Sequence, residues 1–178
     1  MGDGAATATA KAARLALMGF DVDGVLTDGT LYFGPGGDEI KGFSSLDGHG
    51  LKMLQRAGIE VVIISGRRSQ ALAQRARNLD VKELHMGVED KRTLLGQLAA
   101  RRGIELSQTG YMGDDVVDLP VLRACGFSAS VADGHPEVLA RVDYVAGKGG
   151  GRGAVREVCD LILRAQGKWD AAMAVYLA

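Results

Sequence analysis

From Leu15 onward, short apolar runs alternate with segments of helical period, and this alternation constrains the chain more than any other feature. Continuous apolar runs suit strands buried on both faces, and helices between them suit the crossovers that parallel strands require. The expected class is therefore α/β, a Rossmann-like parallel sheet flanked by helices. Strands are expected at Leu15–Phe20, Val61–Ser65, Glu83–Met86, Thr109–Gly113, Phe127–Val131 and Val142–Ala146. Helices are expected at Gly50–Ala57, Gln70–Asn78, Lys91–Arg102, Asp118–Ala124, Pro136–Arg141 and Ala154–Ala165, with Gly58, Gly103 and Gly126 as stops. One insert breaks the pattern. Leu31-Tyr32-Phe33 and Glu39–Phe43 flank Gly34-Pro35-Gly36-Gly37-Asp38, which predicts a β-hairpin after the first strand.

Charge and composition exclude several classes of partner. With 21 basic and 22 acidic residues the net charge is −1, so no global field attracts nucleic acid or an anionic membrane. Aromatics, at 5%, leave few rings to stack on bases. No run approaches the roughly 18 apolar residues of a membrane span. Residues 1–14 lack a basic stretch followed by an apolar one and read as a disordered tail. Cys125 and Cys159 read as small buried hydrophobes, which fits a cytoplasmic protein. There are 26 glycines, about twice the usual share of roughly 7%, which implies many tight turns.

Ligands of open parallel sheets sit beyond the carboxyl ends of the strands, and those ends are polar here. The first strand runs into Asp21-Val22-Asp23-Gly24, the Val61 strand into Ser65-Gly66-Arg67, and the Thr109 strand into Gly113-Asp114-Asp115, with Asp118 one helical turn on. Lys91 opens a helix between them. If the strands are neighbours, one rim gathers two acidic clusters, a hydroxyl and two cations. Phosphoryl transfer through an aspartyl phosphate uses such a set. Asp21 would attack phosphorus, while Asp23 would protonate the leaving alkoxide and then activate water. Mg²⁺ would take oxygens from Asp21, Asp114 and the backbone carbonyl of Asp23. Ser65 and Lys91 would hold the phosphate, and the charge of Lys91 would offset the carboxylates.

Asp21 through Gly29, Ser65-Gly66-Arg67, Lys91 and Gly113 through Asp118 resemble, in order, motifs one to four of the haloacid dehalogenase superfamily. An Asp nucleophile implies a phosphatase or mutase. The stretch Gly149 through Leu163, followed by Ala165-Gln166-Gly167-Lys168, resembles the C-terminus of the bacterial 3-deoxy-D-manno-octulosonate 8-phosphate phosphatase family, and the likeness covers about Leu15 to Ala171. The resemblance implies a Mg²⁺-dependent phosphatase of lipopolysaccharide precursor synthesis. It implies a substrate segment at Ser44, Ser45, Leu46, Asp47 and Gly48, and basic contacts at Lys52, Arg67 and Arg75, with Asp23, Gly66 and Lys91 also against the substrate. Asp115 and Asp118 would stand behind the metal, Asp115 as a ligand or a helix cap and Asp118 orienting Lys91 or a metal-bound water. Ser65 stands where many relatives carry Thr, and Lys52 where some carry Arg.

Residues 15–165 then form the phosphatase domain, and residues 166–178 a tail that contacts a neighbouring subunit. Residues 24–64 and 92–113 leave no room for a cap domain, so the resemblance implies a homotetramer whose subunits cover one another's sites. The exposed apolar groups of the hairpin, Leu31, Tyr32, Phe33 and Ile40, and of the tail, Trp169, Val175, Tyr176 and Leu177, fit such packing.

Blander readings stand beside several of these. Arg67 and Arg75 lie eight apart, about 80° on a helix, and either share one anion or are solvated. Lys91 gains nothing from a helix start, which favours acids, so its position points to function. His49 has no obvious partner, and His85 and His135 read as structural. The loop Gly147–Gly153 presents N–H groups to an anion or is a mobile linker. Two other activities compete: a phosphatase for a longer nonulosonate 9-phosphate, and a phospho-accepting receiver domain, whose order of motifs differs from this one.

Overall fold

The computed structural model describes residues 2–177. Six parallel strands form one sheet in the order β5-β4-β1-β6-β7-β8: β1 (Leu17–Phe20), β4 (Glu60–Ser65), β5 (Glu83–Met86), β6 (Thr109–Met112), β7 (Phe127–Ser130) and β8 (Tyr144–Val145). The expected α/β class and its strands hold, with ends shifted by up to two residues. Between β1 and β4 lie the predicted hairpin, β2 (Tyr32–Phe33) with antiparallel β3 (Glu39–Ile40), and helix α2 (Ser45–Arg56). Helices α3 (Gln70–Asn78), α4 (Lys91–Arg102), α5 (Leu119–Leu122), α6 (Pro136–Leu139) and α7 (Ala154–Ala165) follow their strands. Among the described residues no cap domain intervenes.

Apolar side chains pack on both faces of the sheet. Phe20, Leu51, Leu54, Ile63, Val158 and Ile162 belong to one cluster, and Leu17, Val62, Ile64, Leu95, Leu98 and Tyr111 to the other. Successive strand residues alternate between the two, as the pleat requires. In β4, for example, Val61 and Ile63 face one way and Val62 and Ile64 the other.

The amino-terminal segment corrects one expectation. Met1 lies outside the described residues, but Gly2–Ala12 form a helix, α1, with Ala8 and Ala12 buried against the α7 side of the core. Alanine is the strongest helix former, and the four-residue spacing of Ala8 and Ala12 places two methyl groups on one face. The far end also differs from a free tail. Helix α8 (Trp169–Leu177) packs Trp169, Ala172 and Met173 on the core, with the Arg164 guanidinium 3.8 Å from the Trp169 ring centre. Tyr176 accepts a hydrogen bond from Arg56, while Val175 and Leu177 stay exposed.

Candidate active site

From β1 the chain builds β4 and β5 on one side, then crosses back through α4 to β6 on the other, so the sheet opens a crevice at the carboxyl end of β1. Asp21 is the first residue past that end, and its N–H is bound to the Met112 carbonyl of β6 at 2.9 Å. Its Oδ1 accepts from Val22 N–H at 2.7 Å and its Oδ2 faces Lys91 Nζ at 2.9 Å. Lys91 is the first residue of α4, whose helix cap is Asp90. Only 6% of Lys91 is exposed, and its ammonium also reaches Asp118 Oδ1 at 2.7 Å. Burial opposes that charge, but the two carboxylates outweigh it and hold the Lys91 pKa above its ordinary value.

Asp118 is fully buried and uses both oxygens, Oδ1 on Lys91 and Oδ2 on the Asp114 N–H at 3.2 Å. It therefore orients Lys91 and braces the loop that carries Asp114. Asp115 is exposed and accepts from Val116 N–H at 2.7 Å, the cap geometry that was one of its two readings. The side chain of Asp114 stands against Gly24, where a Cβ would come 2.0 Å from Asp114 Oδ2. Gly24, at φ +90, supplies both the turn after the Asp pair and room for that carboxylate.

Asp114 Oδ1 is buried and has no hydrogen-bond partner among the described residues, which is costly unless something else satisfies it. Carboxylate oxygens of Asp21, Asp114 and Asp118 lie within 4.8 Å of one another. A hard divalent ion at about 2.0–2.1 Å from each oxygen separates opposite ligands by about 4 Å, so the cluster fits one. The proton equilibria fit as well. Burial, then the charge of Asp118, pushes the Asp21 pKa up to about 8 against the pull of Lys91. Burial, then Asp118 and Asp115, pushes that of Asp114 up to about 7. Lys91 alone leaves the site short of positive charge.

A cleft of about 500 Å³ opens on this cluster, lined by Asp21, Asp23, Gly66, Arg67, Lys91 and Asp114 among others. Ser65, at the end of β4, is buried, and its hydroxyl accepts from Arg67 N–H at 3.1 Å, shaping the turn that brings Gly66 and Arg67 to the rim. The structure thus gathers Asp21, Asp23, Ser65, Gly66, Arg67, Lys91, Asp114 and Asp118 from four strand ends. It does not bring the remaining expected contacts to the cleft. Helix α2 begins five residues earlier than expected because the Ser44 hydroxyl caps it, accepting from Asp47 N–H at 3.3 Å, so Ser45, Leu46, Asp47 and Gly48 form its first turn. Asp47 is 1% exposed and accepts from the N–H groups of Gly153 and Arg156, closing the start of α7. Arg75 donates to the Ser44 carbonyl at 3.0 Å beneath that turn. It does not share an anion with Arg67, because α3 begins at Gln70 and Arg67 lies before it, off the helical spacing. Lys52 stands 3.9 Å from Asp80 beside a separate hollow.

The glycine loop is neither an anion cradle nor loose. The N–H of Gly150 goes to Asp133 Oδ1, that of Gly151 to the Val25 carbonyl and that of Gly153 to Asp47. His49 meets the Tyr176 ring edge-on at 5.4 Å. Sequence reasoning missed Lys41, whose ammonium lies on Asp23 Oδ1. The signal was there: residues two apart on a strand share a face, so Glu39 and Lys41 point away from exposed Ile40.

Residues 84–155 match the model of a family described as haloacid dehalogenase-like hydrolase. The chain is 44% identical over 163 residues to the 3-deoxy-D-manno-octulosonate 8-phosphate phosphatase of Escherichia coli K12, covering 92% of this chain and 87% of that one. It belongs to the haloacid dehalogenase-like hydrolases. Solved structures of the same branch superpose closely. The Moraxella catarrhalis 3-deoxy-D-manno-octulosonate 8-phosphate phosphatase, solved with magnesium, phosphate and KDO, gives a TM-score of 0.93 at 43% identity, covering 95% of this chain and 97% of that one. A cobalt-bound form from Haemophilus influenzae gives 0.87 at 44% identity, covering 90% and 94%. In this haloacid dehalogenase-like chain the four motif regions therefore occupy the four strand ends just described, on a fold shared with those enzymes.

Proposed function

We infer that this protein hydrolyses 3-deoxy-D-manno-octulosonate 8-phosphate to the free sugar acid and phosphate. The observation that carries the reading is the Lys91 ammonium held between Asp21 and Asp118 across from the unpartnered Asp114 oxygen, in a chain 44% identical to such a phosphatase over nearly its whole length. Asp21, Asp114 and the Asp23 carbonyl would hold Mg²⁺. Bound there, the ion would supply positive charge that neutralises the transferring phosphoryl group and favours the ionised form of Asp21 and Asp114.

Asp21 forms a bond to phosphorus as the bond to the sugar oxygen breaks, and Asp23 gives that oxygen its proton. Water then attacks the phosphorus of the aspartyl phosphate while Asp23 takes a proton from it, so one water is consumed, Asp21 leaves as the free carboxylate and Asp23 is again the protonated acid. Lys91 and Ser65 steady the phosphoryl oxygens, and Asp118 keeps Lys91 in place. Arg67, 47% exposed in its side chain at the cleft rim, is placed to meet the far part of the substrate.

The cleft is open to water, and closed sites favour this chemistry. Exposed Tyr32, Phe33 and Ile40 of the hairpin support a homotetramer in which neighbours cover one another's clefts. In such an assembly the exposed Ser45 and Leu46, with Lys52, none of which lines this chain's own cleft, would serve a neighbour's, whereas Asp47 and Gly48 are buried in their own fold. A cytoplasmic location accords with a small-molecule substrate and free cysteines; no helix among the described residues is long and apolar enough to cross a membrane.

A phosphate-release screen over sugar-acid phosphates, with and without Mg²⁺, tests the function. The octulosonate 8-phosphate is expected to be turned over most efficiently and only with the metal. Preference for a nonulosonate 9-phosphate would move the assignment to that substrate, and release that survives exhaustive chelation would refute the metal role.

A further inference from the structure

Lys41 follows β3 on a hairpin whose Phe33 and Ile40 are 62% and 55% exposed, yet its own side chain is 2% exposed. A buried ammonium requires carboxylate partners, and Lys41 has two, Asp23 Oδ1 and Glu39 Oε1, the latter at 3.1 Å. Arg67 Nη2 reaches the same Glu39 oxygen at 3.3 Å. Burial works against the charge on Glu39, but hydrogen bonds from Lys41 and Ser69 prevail and keep its pKa below the usual value. The hairpin thus carries an ionic link into the cleft.

Asp23 depends on that link. The carboxylate of Asp21 is held by a backbone N–H, and so are those of Asp47 and Asp115. Among the described residues the Asp23 carboxylate accepts its hydrogen bond from Lys41 alone, on Oδ1. Its Oδ2 has Arg67 Nε 3.9 Å away, too far for a hydrogen bond. We propose that Lys41 is a positioning residue for proton transfer: it anchors Asp23 Oδ1 and so presents Oδ2 to the leaving oxygen. The inference rests on Asp23 being the proton donor. With Lys41 removed, the carboxyl group turns freely about two side-chain torsions, and an ångström of misplacement costs up to about 10² in rate.

Aryl phosphates separate this role from sugar recognition, because they carry neither a sugar nor a carboxylate. Phenolate, whose acid has a pKa of about 10 as in tyrosine, needs a proton as it leaves; p-nitrophenolate needs far less help. We expect Lys41→Met to lower kcat/KM for phenyl phosphate by about 10-fold to 10²-fold and for p-nitrophenyl phosphate by about threefold or less. Lys41→Arg should restore most of the loss, and Asp23→Asn should show the same leaving-group bias more strongly. Lys41→Gln repeats the comparison if thermal melting shows the Met variant unfolded. Equal losses on both substrates, or no loss, in a Lys41 variant while Asp23→Asn keeps the bias would overturn the role of Lys41. Absence of the bias in Asp23→Asn would overturn the assignment of Asp23 itself, and with it the proposal.

Discussion

Asp114→Asn should make the metal-free protein more stable and the protein with Mg²⁺ less so. The amide keeps the shape of the carboxylate beside Gly24 but removes a charge that the fold opposes. A pKa raised from 3.8 to about 7 corresponds to roughly 4 kcal/mol against the charged form. Water at the cleft mouth screens part of that, which leaves about 2 kcal/mol. The sign depends on pH. Because the folded pKa exceeds the unfolded one, the folded state holds the extra proton, and stability is lost as pH rises from about 4 through about 7. Asp21, raised by burial and Asp118 to about 8, extends the same loss upward. At pH 8 in EDTA the Asn variant should melt about 4–8 °C above wild type, at about 2–4 °C per kcal/mol for a chain of this size. Saturating Mg²⁺ at about 100 times its Kd should stabilise wild type by about 2.7 kcal/mol and the variant hardly at all. Calorimetric or circular-dichroism melts between pH 5 and 8 read both effects. An Asn variant that melts below wild type in EDTA at pH 8, or that still responds to Mg²⁺, would refute the reasoning.

Asp21→Asn should reduce phosphate release to background while keeping a cooperative melt, since an amide is a poor nucleophile of the same shape; substantial release by the purified variant would exclude Asp21 as the attacking group. Gly150→Ala should destabilise the fold by about 1–3 kcal/mol and slow turnover, because the added Cβ would lie 1.9 Å from the Gly24 carbonyl oxygen and 2.7 Å from that of Thr27; wild-type melting and kinetics together would show that the loop is not packed so tightly. Removing residues 174–178, which spares Trp169 and Met173, should lower kcat/KM for the sugar-acid phosphate more than for p-nitrophenyl phosphate. Equal effects on the two substrates, or light scattering from an active monomer, would count against a shared site.

The readings that succeeded from sequence rested on local physics. A buried parallel strand must be a continuous apolar run, so β4 and β6 stood out, and the polar residues at their ends marked one rim of the sheet. Helix α4 ends at its expected stop, Gly103, in the left-handed conformation open to glycine, because a cap acts within a few residues of the groups it satisfies. What stayed hidden required a partner distant along the chain. Asp47 read as a substrate contact through the family resemblance alone; its partners are the N–H groups of Gly153 and Arg156, more than a hundred residues away. The glycine loop was ambiguous for the same reason, since Gly150 is small on account of Gly24, which only the folded chain brings beside it.

The two carboxylates of the first motif differ in the same way. Asp21 follows a strand end, where the Met112 carbonyl fixes its backbone and the Val22 N–H and the Lys91 ammonium hold its carboxylate. Asp23 lies past the strand, where no ladder reaches, and among the described residues no backbone N–H holds its carboxylate. An ammonium on a separate hairpin does so instead, holding one oxygen and leaving the other to the cleft. The hairpin that interrupts the βα alternation therefore carries out a task that the regular sheet could not. Its outward face, with Tyr32 and Ile40 paired across the hairpin and exposed, is open to a neighbour without disturbing Lys41 on the other one. If neighbours pack on that face and Asp23 carries the proton, a substitution at Tyr32 or Ile40 should alter oligomerisation while leaving the aryl-phosphate leaving-group bias of wild type unchanged.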